Sequence, residues 1–147
     1  MMTHLLDVNL LIALAWPQHI HHVQAHSWFG TVGHASWATC PITQLAFVRL
    51  SSNSRVISAA VSPREALEAL KQISALPGHQ FWHDDMSPTE AAVFHSVALV
   101  GHRQVTDAYL LALAQHHQGI LATFDTGIAE LIPVQQDRSL HVMLIPS

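Results

Sequence analysis

Asp7 stands inside LLDVNLLIALAW, residues 5–16, a run that is otherwise apolar apart from Asn9. A carboxylate among such neighbours is costly unless it is paired, hydrogen-bonded or bound to a cation. Asp107 opens a second apolar run, TDAYLLALAQHHQ, and Asp125 follows a third, ILATF. Each acid has an ordinary role open to it. Asp7, assisted by Asn9, can cap the helix that follows; Asp107 can serve as a first-turn acid; Asp125 can cap a short helix over 126–131. Brought to one place, they need something more. Two like charges about 4 Å apart repel by about 1 kcal/mol in water, and by about 4 kcal/mol at an effective dielectric of 20. Either some of the carboxyls stay protonated or a cation neutralises them. An oxygen-only donor set suits Mg²⁺ or Mn²⁺. Such an ion lowers the pKa of a bound water and stabilises negative charge on a phosphodiester in the transition state.

The elements that must position these acids alternate between short apolar strands and helices. Residues 3–8 read as a strand, 9–16 as a helix stopped near Pro17, and 19–29 as a second helix ended by Gly30 and Gly33. A short strand over 35–39 leads to a helix over 41–52. Ser62-Pro63-Arg64-Glu65 is a capping box with proline at the first helical position, and Ser87-Pro88-Thr89-Glu90 has the same pattern. The spacing therefore predicts one helix ending before Pro77-Gly78 and another ending before Gly101. Residues 79–83 read as a strand closed by Asp84-Asp85, which we take as a solvated turn. A helix over 106–118 has Gly119 at the expected C-cap, and strands over 120–124 and 140–145 complete the chain.

This alternation predicts a three-layer α/β/α sandwich around a mainly parallel sheet. Ligands bind outside the carboxyl ends of the strands in such sheets. Asp7 and Asp125 both fall at strand carboxyl ends, and the helix bearing Asp107 leads directly into the Asp125 strand.

Size and composition narrow the function classes. The 147 residues suit a single domain spanning 1–147, with half of them apolar and only 11% charged. So low a charged fraction suggests that part of the surface is covered by a partner or a second subunit. The formal net charge of −4 is not the footprint of a dedicated nucleic-acid binder. The single cysteine, Cys40, rules out an intramolecular disulfide and a cysteine-based zinc site. No apolar run approaches the roughly 20 residues of a membrane span. The amino terminus has no Lys or Arg before its apolar run and an Asp within it, which argues against export and for the cytoplasm.

LLDVNLLIAL, CPITQLAFVRLSSN (residues 40–53) and GHRQVTDAYLLALAQHHQGILATFD (residues 101–125) resemble the PIN-domain nucleases, and within them the VapC-type toxins of bacterial toxin–antitoxin pairs. The resemblance covers nearly the whole chain, and its last block is the specific part. It implies a compact α/β/α sandwich and a metal-dependent endoribonuclease that dimerises and is held inactive by a cognate antitoxin. It further implies that Asp7, Asp107 and Asp125 bind Mg²⁺, or Mn²⁺, for cleavage of RNA. Asn9 matches the polar residue that follows the first acid, and Thr123 the hydroxyl beside the last. Arg49 matches a basic residue of the second motif, and Arg55 and Arg103 are further candidates for the RNA backbone. The sequence departs from the pattern once, with Gln44 where many relatives carry glutamate. An amide can orient water or a phosphate but adds no negative charge, which leaves room for one tightly held ion rather than two.

Two other function classes stay open at this point. His19, His21, His22 and His26 lie close together, with His22 and His26 at i, i+4, a spacing that can bind zinc or nickel. A histidine-rich solvated helix face accounts for the same pattern. A catalytically impaired PIN-fold binding module is the other alternative, invited by Gln44. A nucleophilic hydrolase is disfavoured, because no G-x-S-x-G elbow occurs. The four tryptophans read as core or interface, with an apolar partner helix fitting the region from Trp16 to Phe29.

Overall fold

The computed structural model describes residues 1–147. The elements run β1 (His4–Leu6), α1 (Val8–Ala15), α2 (His22–Thr31), β2 (Trp37–Thr39), α3 (Pro41–Ser51), α4 (Pro63–Ser74), β3 (His79–Phe81), α5 (Val105–His116), β4 (Ile120–Thr123), α6 (Arg138–His141) and β5 (Val142–Leu144). The five strands form one sheet in the order β3-β2-β1-β4-β5, and every pair is parallel.

Alternation along the strands divides the core in two. Leu5, Ala38 and Leu121 face one side, where they pack with Leu110, Leu111 and Leu113 of α5. Leu6, Trp37 and Ala122 face the other, against Leu10 and Leu11 of α1, Phe47 of α3 and Leu70 of α4. The expected three-layer sandwich is the architecture found.

The paired Ser-Pro-x-Glu signals have different outcomes. At Ser62 the box closes: its hydroxyl accepts the Glu65 N–H at 3.1 Å and Glu65 Oε1 accepts the Ser62 N–H at 3.4 Å, opening the twelve-residue α4. The helix expected from Ser87 does not form. Only two 3₁₀ turns occur there, Pro88–Glu90 and Ala92–His95. Thr89, where the first box has Arg64, holds the Ser87 hydroxyl through its own Oγ1 (2.7 Å) and its N–H (3.3 Å). Glu90 N–H is left to the Ser87 carbonyl, an i→i+3 bond that tightens the turn.

Other boundaries shift for local reasons. The second helix begins at His22 rather than residue 19 and passes through Gly30 to Thr31, so His19 and His21 belong to the α1–α2 loop. The segment after Asp125 is a 3₁₀ turn, Ile128–Leu131. At the end of α5 the left-handed residue is Gln118 (φ 59°), not Gly119. Gly119 serves instead at a close approach, where a Cβ would collide with the Thr3 carbonyl and the Trp82 ring.

Candidate active site

The direction of sheet building reverses at β1, with β2 and β3 added on one side and β4 and β5 on the other. Crevices open at such a switch point, outside the carboxyl ends of the adjoining strands. Asp7 is the first residue after β1, and Asp125 comes two residues after its neighbour β4.

Asp7 caps α1 and does more. Its Oδ1 accepts the Val8 N–H at 2.8 Å, while Oδ2 accepts the Thr123 hydroxyl at 2.7 Å. The group is only 4% exposed, and Thr123 is fully buried. The same Thr123 oxygen accepts the Asp125 N–H at 3.0 Å, and Asp125 Oδ1 accepts the Gly127 N–H at 2.8 Å. One hydroxyl thus ties the ends of two strands together and sets two acids in register. The capping and turn roles that sequence allowed for Asp7 and Asp125 occupy part of each carboxylate and leave lone pairs free on both.

Asp107 completes the group from the first turn of α5, on the face of the sheet that bears Leu5 and Leu121. Burial, reinforced by the charges of Asp7 and then Asp125, pushes its carboxyl up to about 6. Burial also raises Asp7, with Asp125 adding to the rise and the Thr123 and Val8 hydrogen bonds opposing it. These are carboxylates with too little neutralising charge around them. No three His, Cys, Asp or Glu side chains are arranged as a closed ligand set. An all-oxygen group under mutual repulsion, with two members anchored by neutral donors, is nonetheless the donor chemistry that a hard divalent cation relieves.

Clefts flank the acids. One, of about 250 Å³, is lined by Arg103, Gln104, Asp107, Asp125, Gly127 and Glu130, among others. On the other side of Asp125 an open cleft of about 430 Å³ is formed by Asn9, His19, Ile20, His21 and Phe124. Arg103 and Asn9 therefore do reach the acid group's surroundings. Arg49 and Arg55 are exposed and line neither cleft. Gln44 also stays outside both, with its amide Nε2 donating to Thr39 Oγ1 at 2.9 Å. Sequence reasoning missed Glu130, which enters the first cleft from the 3₁₀ turn after Asp125. It also missed Phe124, and it read His19 and His21 as candidate metal ligands without placing them beside Asp125, a placement that depends on where the α1–α2 loop folds back.

The histidine pair has a structural role. His22 Nδ1–H donates to the Ala13 carbonyl (2.7 Å) and His26 Nε2–H to the Leu14 carbonyl (2.9 Å), the two rings lying 4.2 Å apart. They satisfy carbonyls left open at the end of α1, and no third ligand accompanies them.

A family model described as a PIN domain matches residues 4–132. Ribonuclease VapC39 of Mycobacterium tuberculosis (strain CDC 1551 / Oshkosh) is 44% identical over 129 residues, covering 88% of this chain and 93% of its own. Ribonuclease VapC38 of Mycobacterium tuberculosis (strain ATCC 25618 / H37Rv) is 45% identical over 141 residues, covering 96% and 98%. Among solved structures, a chain of VapBC2 from Rickettsia felis, crystallised with a promoter DNA fragment, superposes with a TM-score of 0.64 at 9% identity, covering 99% of this chain and 100% of that one. A chain of FitAcB from Neisseria gonorrhoeae gives 0.58 at 20% identity, covering 95% and 96%. These two show a shared fold. With the family model spanning β1 to the turn after Asp125, and the VapC relatives matched almost end to end, the chain belongs to the PIN-domain family.

Proposed function

We propose that the protein is a metal-dependent endoribonuclease, the toxin of a toxin–antitoxin pair. The observation that carries this reading is the Thr123-tied pair Asp7 and Asp125, facing Asp107 at the switch point of the sheet. The names of the M. tuberculosis relatives support ribonuclease chemistry. In this reading Asp7, Asp107 and Asp125 would hold Mg²⁺ (or Mn²⁺). Bound there, the ion would supply an activated water and neutralise charge developing on the RNA phosphodiester.

The chain's own residues have separate tasks. Asp7 and Asp107 present carboxylate oxygens in the deprotonated form that a cation favours. The Thr123 hydroxyl fixes Asp7 Oδ2 and the Asp125 backbone, so that neither acid swings away from the other. Arg103, in the cleft with Asp107 and Asp125, is placed to contact a phosphate of the strand. Gln44, engaged with Thr39, adds no charge to the site, which suits one tightly held ion. A cognate antitoxin and a second copy of the chain are its protein partners, and it acts in the cytoplasm. No helix is long and apolar enough to cross a membrane.

The test compares the wild type with Asp7→Asn and Asp107→Asn, by sequencing cleaved cellular RNAs after induction and by assaying purified protein with and without Mg²⁺. Both variants are expected to fall to background. Full activity in both at saturating metal overturns the mechanism, and a wild type that cuts no RNA in a broad pool and binds no divalent cation points to the binding-module alternative.

A further inference from the structure

We propose that the cleft between the α1–α2 loop and Phe124 is a nucleobase subsite, which takes one unpaired RNA base next to the phosphate being cut. This rests on the ribonuclease reading of the acids and assigns the strand a path across them. Asp125 borders both clefts, so a strand whose phosphate lies at the acids has one of them on either side of it. The two differ in chemistry. The Asp107 side offers the Arg103 guanidinium, a group that pairs with phosphate oxygens. The loop side has no Lys or Arg in its lining. Burial, with His21 and His22 adding to it, holds His19 below the ordinary imidazole range. A second phosphate is therefore poorly served there.

What the loop side does offer suits a base. His21 lies over the Phe124 ring, with centroids 4.8 Å apart and planes 31° from parallel. Ile20 projects from the loop 82% exposed, an apolar side chain left in water beside an aromatic pair. Asn9, on the first turn of α1, brings a side-chain amide that can donate and accept, as the edge of a base requires. The loop is itself braced, because the His21 N–H donates to His19 Nδ1 at 3.0 Å. An opening of about 430 Å³ falls within the range of pockets that hold small-molecule-sized groups. Stacking on aromatic and apolar faces, with hydrogen bonds to the edge, is how proteins hold single-stranded bases.

The experiment uses the full-length protein with Ile20→Ser, which changes an exposed side chain, and Phe124→Leu, which keeps bulk and removes the ring. Cleavage of a randomised RNA pool is sequenced for base preference around the cut, and KM and kcat are measured on one preferred oligonucleotide. In parallel, Asp107→Asn alone and combined with each substitution is titrated with that oligonucleotide carrying 2-aminopurine beside the cut site. The expected result is a KM about tenfold higher with kcat little changed, weakened preference at one flanking base, and 2-aminopurine quenching in Asp107→Asn that the added substitutions abolish. Unchanged KM and preference, or a fall in kcat alone, overturns the subsite while leaving the nuclease standing. A wild type that cuts no RNA overturns the nuclease, and the subsite that rests on it falls with it.

Discussion

The Thr123 hydroxyl donates a 2.7 Å hydrogen bond to Asp7 Oδ2, across 116 positions of sequence and between two adjacent parallel strands. The register that pairs Leu5 with Leu121 and Leu6 with Ala122 sets these two residues side by side. Asp7 is buried, so this bond is a main support for its charged form. Thr123→Val keeps the side chain's shape and removes the donor. An outer partner of a metal-binding acid is worth roughly 10–100-fold in affinity, so Mn²⁺ affinity by calorimetry is expected to fall at least about tenfold. Thermal stability in EDTA at pH 7.5 is expected to drop by about 1–3 kcal/mol, the cost of a buried acceptor left unsatisfied. Thr123→Ser restores both. Wild-type affinity in Thr123→Val would contradict the tie between the two residues.

Asp107 makes stability depend on pH in a definite direction. Its folded value of about 6 lies above the ordinary 3.8. Between those values the native state keeps a proton that the unfolded chain has lost, so this group costs stability as pH rises through the window, and the cost is complete above about 6. Asp107→Asn removes it. Melting in EDTA is expected to show the variant matching wild type near pH 4 and exceeding it at pH 7.5 by about 1 kcal/mol, less than the full rise from 3.8 to about 6 would give because solvent reaches the half-buried carboxyl. Saturating Mg²⁺ is expected to reverse the order at pH 7.5, since only the wild type gains an ion. A gap that is the same at both pH values contradicts the assignment.

Ser62 and Ser87 head identical-looking motifs and are expected to respond differently to the same change. Ser62 closes a reciprocal box at the start of α4, so Ser62→Ala is expected to cost about 1 kcal/mol. Ser87 binds only Thr89 within an exposed 3₁₀ turn, so Ser87→Ala is expected to stay within about 0.5 kcal/mol. Urea unfolding midpoints at constant m-value measure both. Equal losses would mean that the second box is more fully formed than its hydrogen bonds indicate.

The same contrast shows what the sequence alone makes legible. Parallel strands buried on both faces read as short apolar runs, so β1, β2 and β4 stand out, and with them the acids that follow β1 and β4. Asp7 was conspicuous because a carboxylate in such a run needs a reason. The failed Ser87 helix was illegible at the level of the motif, because a threonine two positions on competes for the serine hydroxyl. The His22–His26 pair showed its spacing but not its partners, which are carbonyls of a different helix. The left-handed turn at the end of α5 fell to Gln118 because the close approach of Thr3 and Trp82 reserved the next position for a residue without a Cβ. Gln44 was legible as a departure from the family pattern, but its destination was not.

That destination gives the last prediction. Gln44 Nε2 donates to Thr39 Oγ1, which is 2.7 Å from His79 Nε2. With Gln44 donating to its oxygen, the Thr39 hydroxyl is free to give its proton to Nε2 of a neutral ring, so the chain runs amide to hydroxyl to imidazole. Burial supports the neutral ring by holding His79 below its ordinary range. Gln44→Glu removes the first donor. Thr39 must then turn its proton toward the carboxylate, and Nε2 keeps a partner only by becoming a donor itself. NMR titration is expected to show the His79 pKa rising above its wild-type value. Stability at pH 8, where the ring is neutral, is expected to fall by about 1–3 kcal/mol. Mn²⁺ affinity is expected to stay within about twofold of wild type, because the new carboxylate faces Thr39 rather than the acids. An affinity gain of about tenfold with an unmoved His79 would instead show that residue 44 reaches the metal.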